Sequence, residues 1–211
     1  MDTMRLLALG TLYVLAATAC TRPVLYYPTP EPGPVQSGRA ATPVAADTES
    51  AAAMPAVSAD ADIEYVRARQ ILMPVAGASM SKLADTFDEA RDGGERVHRA
   101  LDILAPRGTP IVAADDGVVL RMTTSPLGGI SMYAVDPDHR IVYYYAHMER
   151  YHDSMSQGRT LVRGDTIGFV GTTGNAPKDL PHLHFQIMRM AADGKFWNGE
   201  PINPYPLLGG R

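Results

Sequence analysis

Two histidines, His182 and His184, lie two residues apart in the sequence HLHF. In a β-strand, successive side chains point to opposite faces of the sheet. A strand here would send Leu183 and Phe185 to the core and leave both histidines on the other face. Two imidazoles on one face can reach a single metal ion. The alternative is a pair of core histidines, which is costly because each buried ring needs a hydrogen-bond partner.

Three further residues are candidates for the same chemistry. His98 and Asp102, in HRALD, are four residues apart, which places them on one face of either a helix or a strand. A neutral imidazole and a carboxylate are suitable Zn²⁺ ligands. His147, in YYYAHM, is expected at the end of a strand beside an apolar face. Cys20 is the only cysteine of the chain, so any metal must be held by His, Asp or Glu.

Taken together, these residues suggest a catalytic metal centre distributed along one β-domain. In chain order they are His98, Asp102, His147, His182 and His184. A catalytic zinc site has three protein ligands and an open position for water, whereas a structural site is closed. Zinc lowers the pKa of its bound water to about 7. The two remaining histidines could then transfer protons and stabilise a developing oxyanion. His139 and His152 are expected in solvated loops and are given no role.

The elements that must position these residues are mostly short strands. After Gly94, turn signals recur about every eight to twelve residues, and no long helical pattern interrupts them. IVAADDGVVLRM predicts two strands around a turn at Asp116 and Gly117, and ISMYAVDPDHRIVYYYAHM predicts a hairpin with DPDH as its turn. LHFQIMRM predicts a last strong strand. The fold class is therefore mainly β, with antiparallel sheets that form an open sandwich or barrel-like domain.

One or two short helices are expected before this domain. Residues 63–72 have apolar positions at helical spacing, and Pro74 would end that helix. Residues 81–91 contain Leu83 and Phe87 four apart, which allows a second helix. We interpret residues 61–95 as an N-terminal extension and residues 96–208 as the domain that carries the site. Whether the extension covers the site is left open by the sequence.

The first twenty residues are typical of an export signal. Arg5 precedes a mostly apolar run over residues 6–19, which is shorter than the roughly 20 residues that span a bilayer and fits a secretory signal. The sequence AATAC resembles the lipobox of bacterial lipoproteins, in which Cys20 would become the lipidated first residue. The alternative is a cleaved signal with an incidental cysteine. The resemblance implies the cell envelope, and Thr21 implies an outer-membrane anchor that faces the periplasm.

Residues 20–60, which begin with that cysteine, form a predicted disordered linker. Pro, Ala, Ser, Thr and Gly dominate this stretch, and such a composition buries too little apolar surface to fold. The linker would let a tethered domain reach material away from the membrane. The 211-residue chain has a formal net charge of −4, so it lacks the basic surface that nucleic-acid binding requires.

The order HxxxD, YxH and HLHF resembles the zinc metalloendopeptidases of the lysostaphin and LytM type, which cut peptide bonds in bacterial peptidoglycan. The flanking sequences DILAPRGTPIVAADDGVV, GDTIGFVGTTGN and INPYPLL are similar to that family as well. The resemblance covers roughly residues 70–208. It implies an antiparallel domain of the LytM type, with the stem peptides of peptidoglycan as substrate.

The resemblance also implies roles for individual residues. His98, Asp102 and His184 match the ligands of one Zn²⁺ per chain. His147 and His182 match two catalytic histidines that activate the zinc-bound water and stabilise the tetrahedral intermediate, with no division of labour assigned. Two features differ from the family: Ala100 replaces a usual glycine, and GNAPKDL replaces the usual loop beside the substrate groove.

Two other functions are compatible with parts of the sequence. A non-catalytic member would act on a regulatory protein partner, as an activator of another cell-wall hydrolase. Such members typically lose zinc ligands, whereas all five site positions are filled here. A carbohydrate-binding lipoprotein of the β-sandwich class would leave those five positions unexplained. Zinc stoichiometry separates these readings, because only the enzyme should hold about one ion per chain.

Overall fold

The protein is described here over residues 59–208 in a computed structural model. The predicted export signal, Cys20 and nearly all of the predicted linker lie outside the described residues. Helix α1 spans Ala59–Arg69 and helix α2 spans Tyr205–Leu208, and short 3₁₀ turns occur at Met80–Lys82 and Asp92–Gly94. None of the helices in this part of the chain has the length and apolar character needed to cross a membrane.

Eleven strands are the main regular structure of the described region, and their antiparallel pairing confirms the mainly β fold class. Two of them, β1 (Ala90–Arg91) and β2 (Arg96–Val97), form a separate ribbon. The other nine belong to one sheet: β3 Leu101–Leu104, β4 Pro110–Val112, β5 Gly117–Ser125, β6 Gly129–Val135, β7 Ile141–Tyr151, β8 Thr160–Leu161, β9 Thr166–Val170, β10 His182–Arg189 and β11 Glu200–Ile202.

Strands β7 and β10 are the centre of this sheet. The main path of neighbouring strands runs β11, β10, β7, β6, β5, β8. Strand β3 pairs with β10. Strand β9 pairs with both β7 and β4. The sheet does not close into a barrel, so the open architecture predicted from the sequence is confirmed. Strand β11 was not predicted.

The main hydrophobic core covers one face of β7 and β10. Alternate residues of the two strands point into it, and among them Tyr143, Tyr145, Leu183 and Phe185 are almost completely buried. The ring centroids of Tyr145 and Phe185 lie 5.3 Å apart. Burial of one such side chain stabilises the fold by about 1.5–3 kcal/mol. The predicted alternation in HLHF is therefore confirmed, and the opposite face of the same strands is available for the histidines.

The predicted hairpin is also present. Strands β6 and β7 pair in antiparallel register, with Val135 opposite Val142. At the start of the turn, the Oδ1 of Asp136 accepts hydrogen bonds from the backbone N–H groups of Arg140 and Ile141. His139 lies in this turn with a φ of 54°, exposed to solvent as expected.

Helix α1 confirms the first predicted helix, although it begins and ends earlier than residues 63–72. Gln70, with a φ of 51°, breaks the helix before Pro74 is reached. The Arg163 Nη1 donates to the carbonyl oxygens of Arg69 (2.7 Å) and Gln70 (2.9 Å), which satisfies acceptors that a helix end leaves open. Tertiary contacts thus set the end of this helix.

The second predicted helix, residues 81–91, is wrong. Only the 3₁₀ turn Met80–Lys82 forms there, and the chain then runs extended. The Asp85 Oδ1 accepts the backbone N–H of Phe87, a local bond that favours a turn over a helix. The carbonyl of Phe87 accepts the backbone N–H of Arg99 at 2.8 Å. The segment is therefore fixed by the residues that precede β3 rather than by its own periodicity.

Helix α1 is attached to the sheet by buried ion pairs. Asp62 is fully buried and forms ion pairs with Arg140 (2.9 Å) and Arg189, which lie in the β6–β7 turn and at the end of β10. Arg69 pairs in the same way with the buried Asp115. Val66 adds an apolar contact with the main core. These contacts hold the helix against the sheet.

We expect Asp62→Ala to lower the free energy of unfolding by about 2–3 kcal/mol, because it leaves two guanidinium groups without their buried partner. The loss is below that of a fully buried pair, since about 30% of each arginine side chain remains exposed. Urea denaturation followed by circular dichroism measures the change. The matched control is Glu64→Ala on the same helix, whose exposed pair with Arg67 should contribute about 0.5 kcal/mol or less. Equal effects of the two substitutions would contradict this account of α1.

Candidate metal centre and active site

Strand β10 presents His182 and His184 on the face opposite the core. In register, His184 lies across from Asp102 of β3 on one side and Ala146 of β7 on the other. The pairing of β10 with β3 therefore places the His184 ring beside the Asp102 carboxylate. This arrangement confirms that the two histidines of HLHF share a face, and it places Asp102 beside them.

His98 reaches the same point from a loop. It precedes β3, and Arg99 between them has a left-handed φ of 57°. This bend turns the His98 ring back toward Asp102. His98 and Asp102 therefore do not lie on one face of a regular helix or strand. Ala100 is fully buried and is not among the residues with positive φ. The replacement of the usual glycine at this position therefore requires no special backbone conformation.

Three ligand atoms form a nearly equilateral triangle. The Nε2 of His98 lies 3.0 Å from the Oδ1 of Asp102 and 3.0 Å from the Nδ1 of His184. The Nδ1 of His184 lies 3.2 Å from the same Oδ1. Tetrahedral zinc, with bonds of 2.0–2.1 Å, separates neighbouring ligand atoms by about 3.3 Å. The triangle therefore has the size that a metal ion of this kind requires.

Hydrogen bonds orient His98 and Asp102 toward this triangle. The Nδ1 of His98 lies 2.9 Å from the carbonyl oxygen of Thr86, which can only accept, so this nitrogen donates and Nε2 faces the other two ligand atoms. Arg91 Nη2, 3.0 Å from the same Nδ1, donates instead to Asp102 Oδ2 at 2.7 Å. Asp102 Oδ1 is buried and has no hydrogen-bond partner among the described residues. A metal ion at the centre of the triangle would give this oxygen a partner.

The protonation states fit a metal as well. Burial opposes ionisation of Asp102, but the adjacent rings of His184 and His98 outweigh it and hold the pKa of that carboxyl below its usual range. Burial lowers the pKa of His184, which keeps the ring neutral. Metal ligands must be deprotonated, and both side chains meet this condition at neutral pH. The residues His98, Asp102 and His184 could therefore hold one metal ion.

His147 lies inside strand β7 and not at its end, because the strand continues to Tyr151. Its φ is 59°, and the neighbour of β7 changes at this residue from β10, paired through Ala146, to β9, paired from Met148. Bulges of this kind redirect a side chain. The Nδ1 of His147 lies 2.9 Å from the carbonyl oxygen of Thr173, so Nε2 is the free acceptor. Burial lowers the pKa of His147 to about 4, which leaves the ring neutral at pH 7.

His182 is held in the same way. Its Nδ1 lies 2.9 Å from the carbonyl oxygen of Leu180, which again leaves Nε2 as an acceptor. That Nε2 lies 3.8 Å from Asp102 Oδ1. The rings of His147 and His182 have centroids 5.0 Å apart. Two imidazoles, each with its Nδ1 against a backbone carbonyl, thus lie beside the candidate metal ligands, where they could accept a proton on Nε2.

The centre lies in a pocket of about 370 Å³. Leu127 and Gly128 line one side, and residues 175–177 of the GNAPKDL loop line another, which confirms that this loop borders the site. The two loops touch at the back, where a Cβ on Gly174 would lie 2.3 Å from the backbone nitrogen of Gly129. His139 and His152 do not line the pocket, in agreement with the absence of a role for either.

Several residues that support the site were not predicted. Thr86 supplies a carbonyl to His98, and its hydroxyl accepts the backbone N–H of Asp102 at 3.1 Å. Thr173 and Leu180 act through carbonyl oxygens, which no side-chain spacing reveals. Arg91 lies in the segment that was predicted as a helix. Its charge was visible in the sequence, but its contact with Asp102 depends on the fold.

Residues 96–204 match the family model described as Peptidase family M23. The match covers more than half of the chain, and the protein belongs to this family. The resemblance to lysostaphin and LytM-type enzymes noted in the sequence is thereby confirmed. The matched range contains all five predicted site residues.

Known relatives support the same assignment. Over 96 residues the chain is 34% identical to the peptidoglycan DD-endopeptidase ShyC of Vibrio cholerae, a match that covers 46% of this chain and 21% of ShyC. Over 129 residues it is 30% identical to the L-Ala–D-Glu endopeptidase of Bacillus subtilis, covering 58% of this chain and 38% of that protein. The chain therefore spans well under half the length of these relatives.

The fold agrees with a solved peptidase structure. The catalytic domain of lysostaphin from Staphylococcus simulans superimposes with a TM-score of 0.50 and 24% identity, covering 61% of this chain and 94% of that domain. At this identity the similarity concerns the fold. The two relatives named above carry names that specify different bonds, so membership of the family does not specify one substrate bond.

We expect Thr86→Val to weaken Zn²⁺ binding by about tenfold, because it removes the hydroxyl that fixes the backbone of Asp102. Isothermal titration of metal-free protein with Zn²⁺ measures the affinity. Thr160→Val, at an exposed threonine of β8, serves as the matched control and should bind like the wild type. An unchanged affinity in Thr86→Val would show that this hydroxyl does not position the ligand.

Proposed function

We propose that the protein is an active zinc endopeptidase that hydrolyses peptide cross-links of bacterial peptidoglycan. The observation that carries this proposal is the convergence of three candidate ligand atoms, from His98, Asp102 and His184, next to two further histidines in one pocket. Membership of peptidase family M23 and the names of its relatives support peptidoglycan as the substrate.

The ligand set favours zinc. Two imidazole nitrogens and one carboxylate oxygen make three protein ligands, which is the number that catalytic zinc sites use. When bound, Zn²⁺ would supply a Lewis acid and lower the pKa of a coordinated water to about 7. Arg91 holds Asp102 through Oδ2, which leaves Oδ1 as the single oxygen directed at the ligand triangle. One ion per chain is the expected stoichiometry.

His147 and His182 would do the proton chemistry. Each carries its proton on Nδ1 against a backbone carbonyl, so each presents Nε2 as a base. A base at this position accepts the proton of the attacking water and can return it to the leaving amine. Before that return, while the oxyanion is present on the substrate carbonyl, the protonated ring can donate a hydrogen bond to it. Both rings lie close enough to share these tasks, and the geometry does not favour one order.

We expect the purified protein to release monomeric muropeptides from isolated sacculi, with loss of cross-linked dimers. Mass spectrometry of the products would identify the bond. A chelator should abolish the release, and added Zn²⁺ should restore it. If metal-loaded protein releases nothing, alone or with a second cell-wall hydrolase, the proposed activity is wrong. Stimulation of that hydrolase without any release by the protein itself would favour the activator function.

Two variants separate metal binding from proton transfer in this assay. His184→Ala should lose the metal and the activity together, because it removes a corner of the ligand triangle. His182→Ala should keep the metal and lose most hydrolysis, by roughly 10²–10⁴-fold. Metal content is measured on the same samples. Wild-type hydrolysis in His182→Ala would remove this residue from the mechanism.

We also propose that the protein is a lipoprotein, anchored through Cys20 to the outer membrane and facing the periplasm. The sequence AATAC after an apolar run and Thr21 after the cysteine support this address. Labelled palmitate should be incorporated in cells that express the protein, and Cys20→Ser should abolish incorporation. Release of unlabelled wild-type protein in soluble form would instead indicate an ordinary cleaved signal.

A further inference from the structure

A row of aromatic rings leads away from the candidate metal centre on the sheet face that carries the histidines. Tyr144 lines the pocket, and its ring centroid lies 6.1 Å from that of His184. Tyr133 is the partner of Tyr144 in the β6–β7 register, and the two rings stack with centroids 4.4 Å apart. The ring of Phe196 packs edge-on against Tyr133 at 5.1 Å, and the ring of Trp197 lies 4.9 Å from Phe196. The row therefore connects the pocket with Trp197.

The loop between β10 and β11 fixes the outer end of this row. The backbone N–H of Asn198 donates to the carbonyl oxygen of Lys195 at 3.1 Å, so Phe196 and Trp197 occupy the two central positions of a tight turn. A Cβ on Gly199 would lie 2.2 Å from a carbonyl oxygen of β10, which shows that the chain returns directly against the sheet. The backbone thus holds Trp197 in place, with Phe196 as its support.

Trp197 leaves a large apolar ring in contact with water. It is the only tryptophan of the chain, and 55% of its surface is exposed. Tryptophan is highly buried on average in folded proteins, because its ring is large and mostly apolar. The charged side chains of the same loop, Asp193 and Lys195, form an ion pair at 2.7 Å and compensate each other. The ring in this setting favours an uncharged ligand that has an apolar face and polar edges.

The sheet beneath the row limits what such a ligand can be. Strands β6, β7 and β10 are each paired on both sides, so this face contacts a ligand through side chains and not by adding a strand. A sugar ring suits this surface. The C–H groups on its face lie favourably against the negative face of an aromatic ring, while its hydroxyl groups stay at the edge, free to bind water or polar side chains.

We infer that Trp197 binds a sugar ring of the glycan strand that carries the substrate peptide. The inference rests on the proposed function, because it extends the substrate of the same site. Stem peptides of peptidoglycan are attached to the sugars of the glycan, so a peptide in the pocket brings a sugar close to the metal centre. Successive rings of the row are 4.4–6.1 Å apart. A few extended residues, at about 3.3–3.6 Å each, span this row.

The first experiment compares two substrates in the full, metal-loaded protein. Dimeric muropeptides that retain their sugars are compared with the same cross-linked peptides after an amidase has removed the sugars. For the wild type, kcat/KM should be about tenfold higher on the sugar-bearing form, mainly through KM. Trp197→Ala should remove this preference by slowing only the sugar-bearing form. Trp197→Tyr should retain part of it, because an aromatic ring remains.

The matched control is Val162→Ala, which shortens an apolar side chain of similar exposure, 61%, outside the pocket. It should prefer the sugar-bearing form as the wild type does. Metal content and circular dichroism are measured on every variant, so that each comparison is made between folded and loaded proteins.

The second experiment detects the sugar at the ring itself and requires no hydrolysis. Because Trp197 is the only tryptophan, selective excitation of tryptophan reports on this residue alone. Peptide-free glycan strands should shift its emission to shorter wavelength, since a stacked sugar displaces water from the exposed ring. Sugar-free stem peptides are the comparison ligand and should leave the emission nearly unchanged. Val162→Ala should show the same shift as the wild type.

The remaining results separate the inference from the proposed function. Equal kcat/KM on the two forms in the wild type refutes the sugar site and leaves the peptidase function standing. A preference that survives in Trp197→Ala places sugar recognition elsewhere, and an equal loss on both forms shows a structural role; either result refutes the inference.

The emission experiment has its own decisive results. A shift caused by the sugar-free peptide but not by the glycan would assign the ring to the peptide and refute the sugar site. If the metal-loaded wild type cleaves neither form while the glycan shifts the emission, the glycan-binding role of Trp197 stands and the proposed peptidase function falls. If there is neither cleavage nor a shift, both fall.

Discussion

The close approach of three candidate ligand atoms is the constraint on which the rest of this structure depends. The Nε2 of His98, the Oδ1 of Asp102 and the Nδ1 of His184 lie 3.0–3.2 Å apart. The surrounding fold must hold one carboxylate oxygen and two imidazole nitrogens in this small space. Burying polar groups costs free energy unless they have partners, so this arrangement of ligand atoms favours a bound metal ion. Folding and metal binding are therefore expected to be linked.

The fold holds the triangle by means of backbone groups in separate loops. The carbonyl oxygens of Thr86, Thr173 and Leu180 each accept one Nδ1–H of a histidine in the candidate site. Each bond fixes a tautomer and a ring plane, as metal ligands and proton acceptors require. Two residues, Arg99 and His147, adopt a left-handed conformation beside the site. Such conformations cost about 1–3 kcal/mol each and persist where the surroundings determine them. These two residues lie at His147 and next to His98, where the chain leaves the regular strand path.

The features that could be predicted from the sequence are those with a local cause. Alternation in HLHF follows from the two-residue period of a strand, and the β6–β7 hairpin follows from its turn residues. The resemblance to known peptidases proposed five site residues, and the fold brings all five to one pocket. The bulge at His147 and the extended path of residues 81–91 were missed, because both depend on distant partners. A strand that changes neighbours leaves no periodic signal, and local helical spacing carries little weight where tertiary hydrogen bonds compete.

The N-terminal extension is better understood as part of the candidate site than as a separate attachment. The family match begins at residue 96, and the sequence alone placed a boundary after residue 95. The structure crosses that boundary at several points. Thr86 fixes the tautomer of His98, and Arg91 holds the outer oxygen of Asp102. The ribbon of β1 and β2 then forms one wall of the pocket. These contacts act on two of the three candidate ligands, so we expect the extension to contribute to metal affinity through their geometry. A domain cut at residue 96 would retain the candidate ligand side chains and lose the groups that orient them.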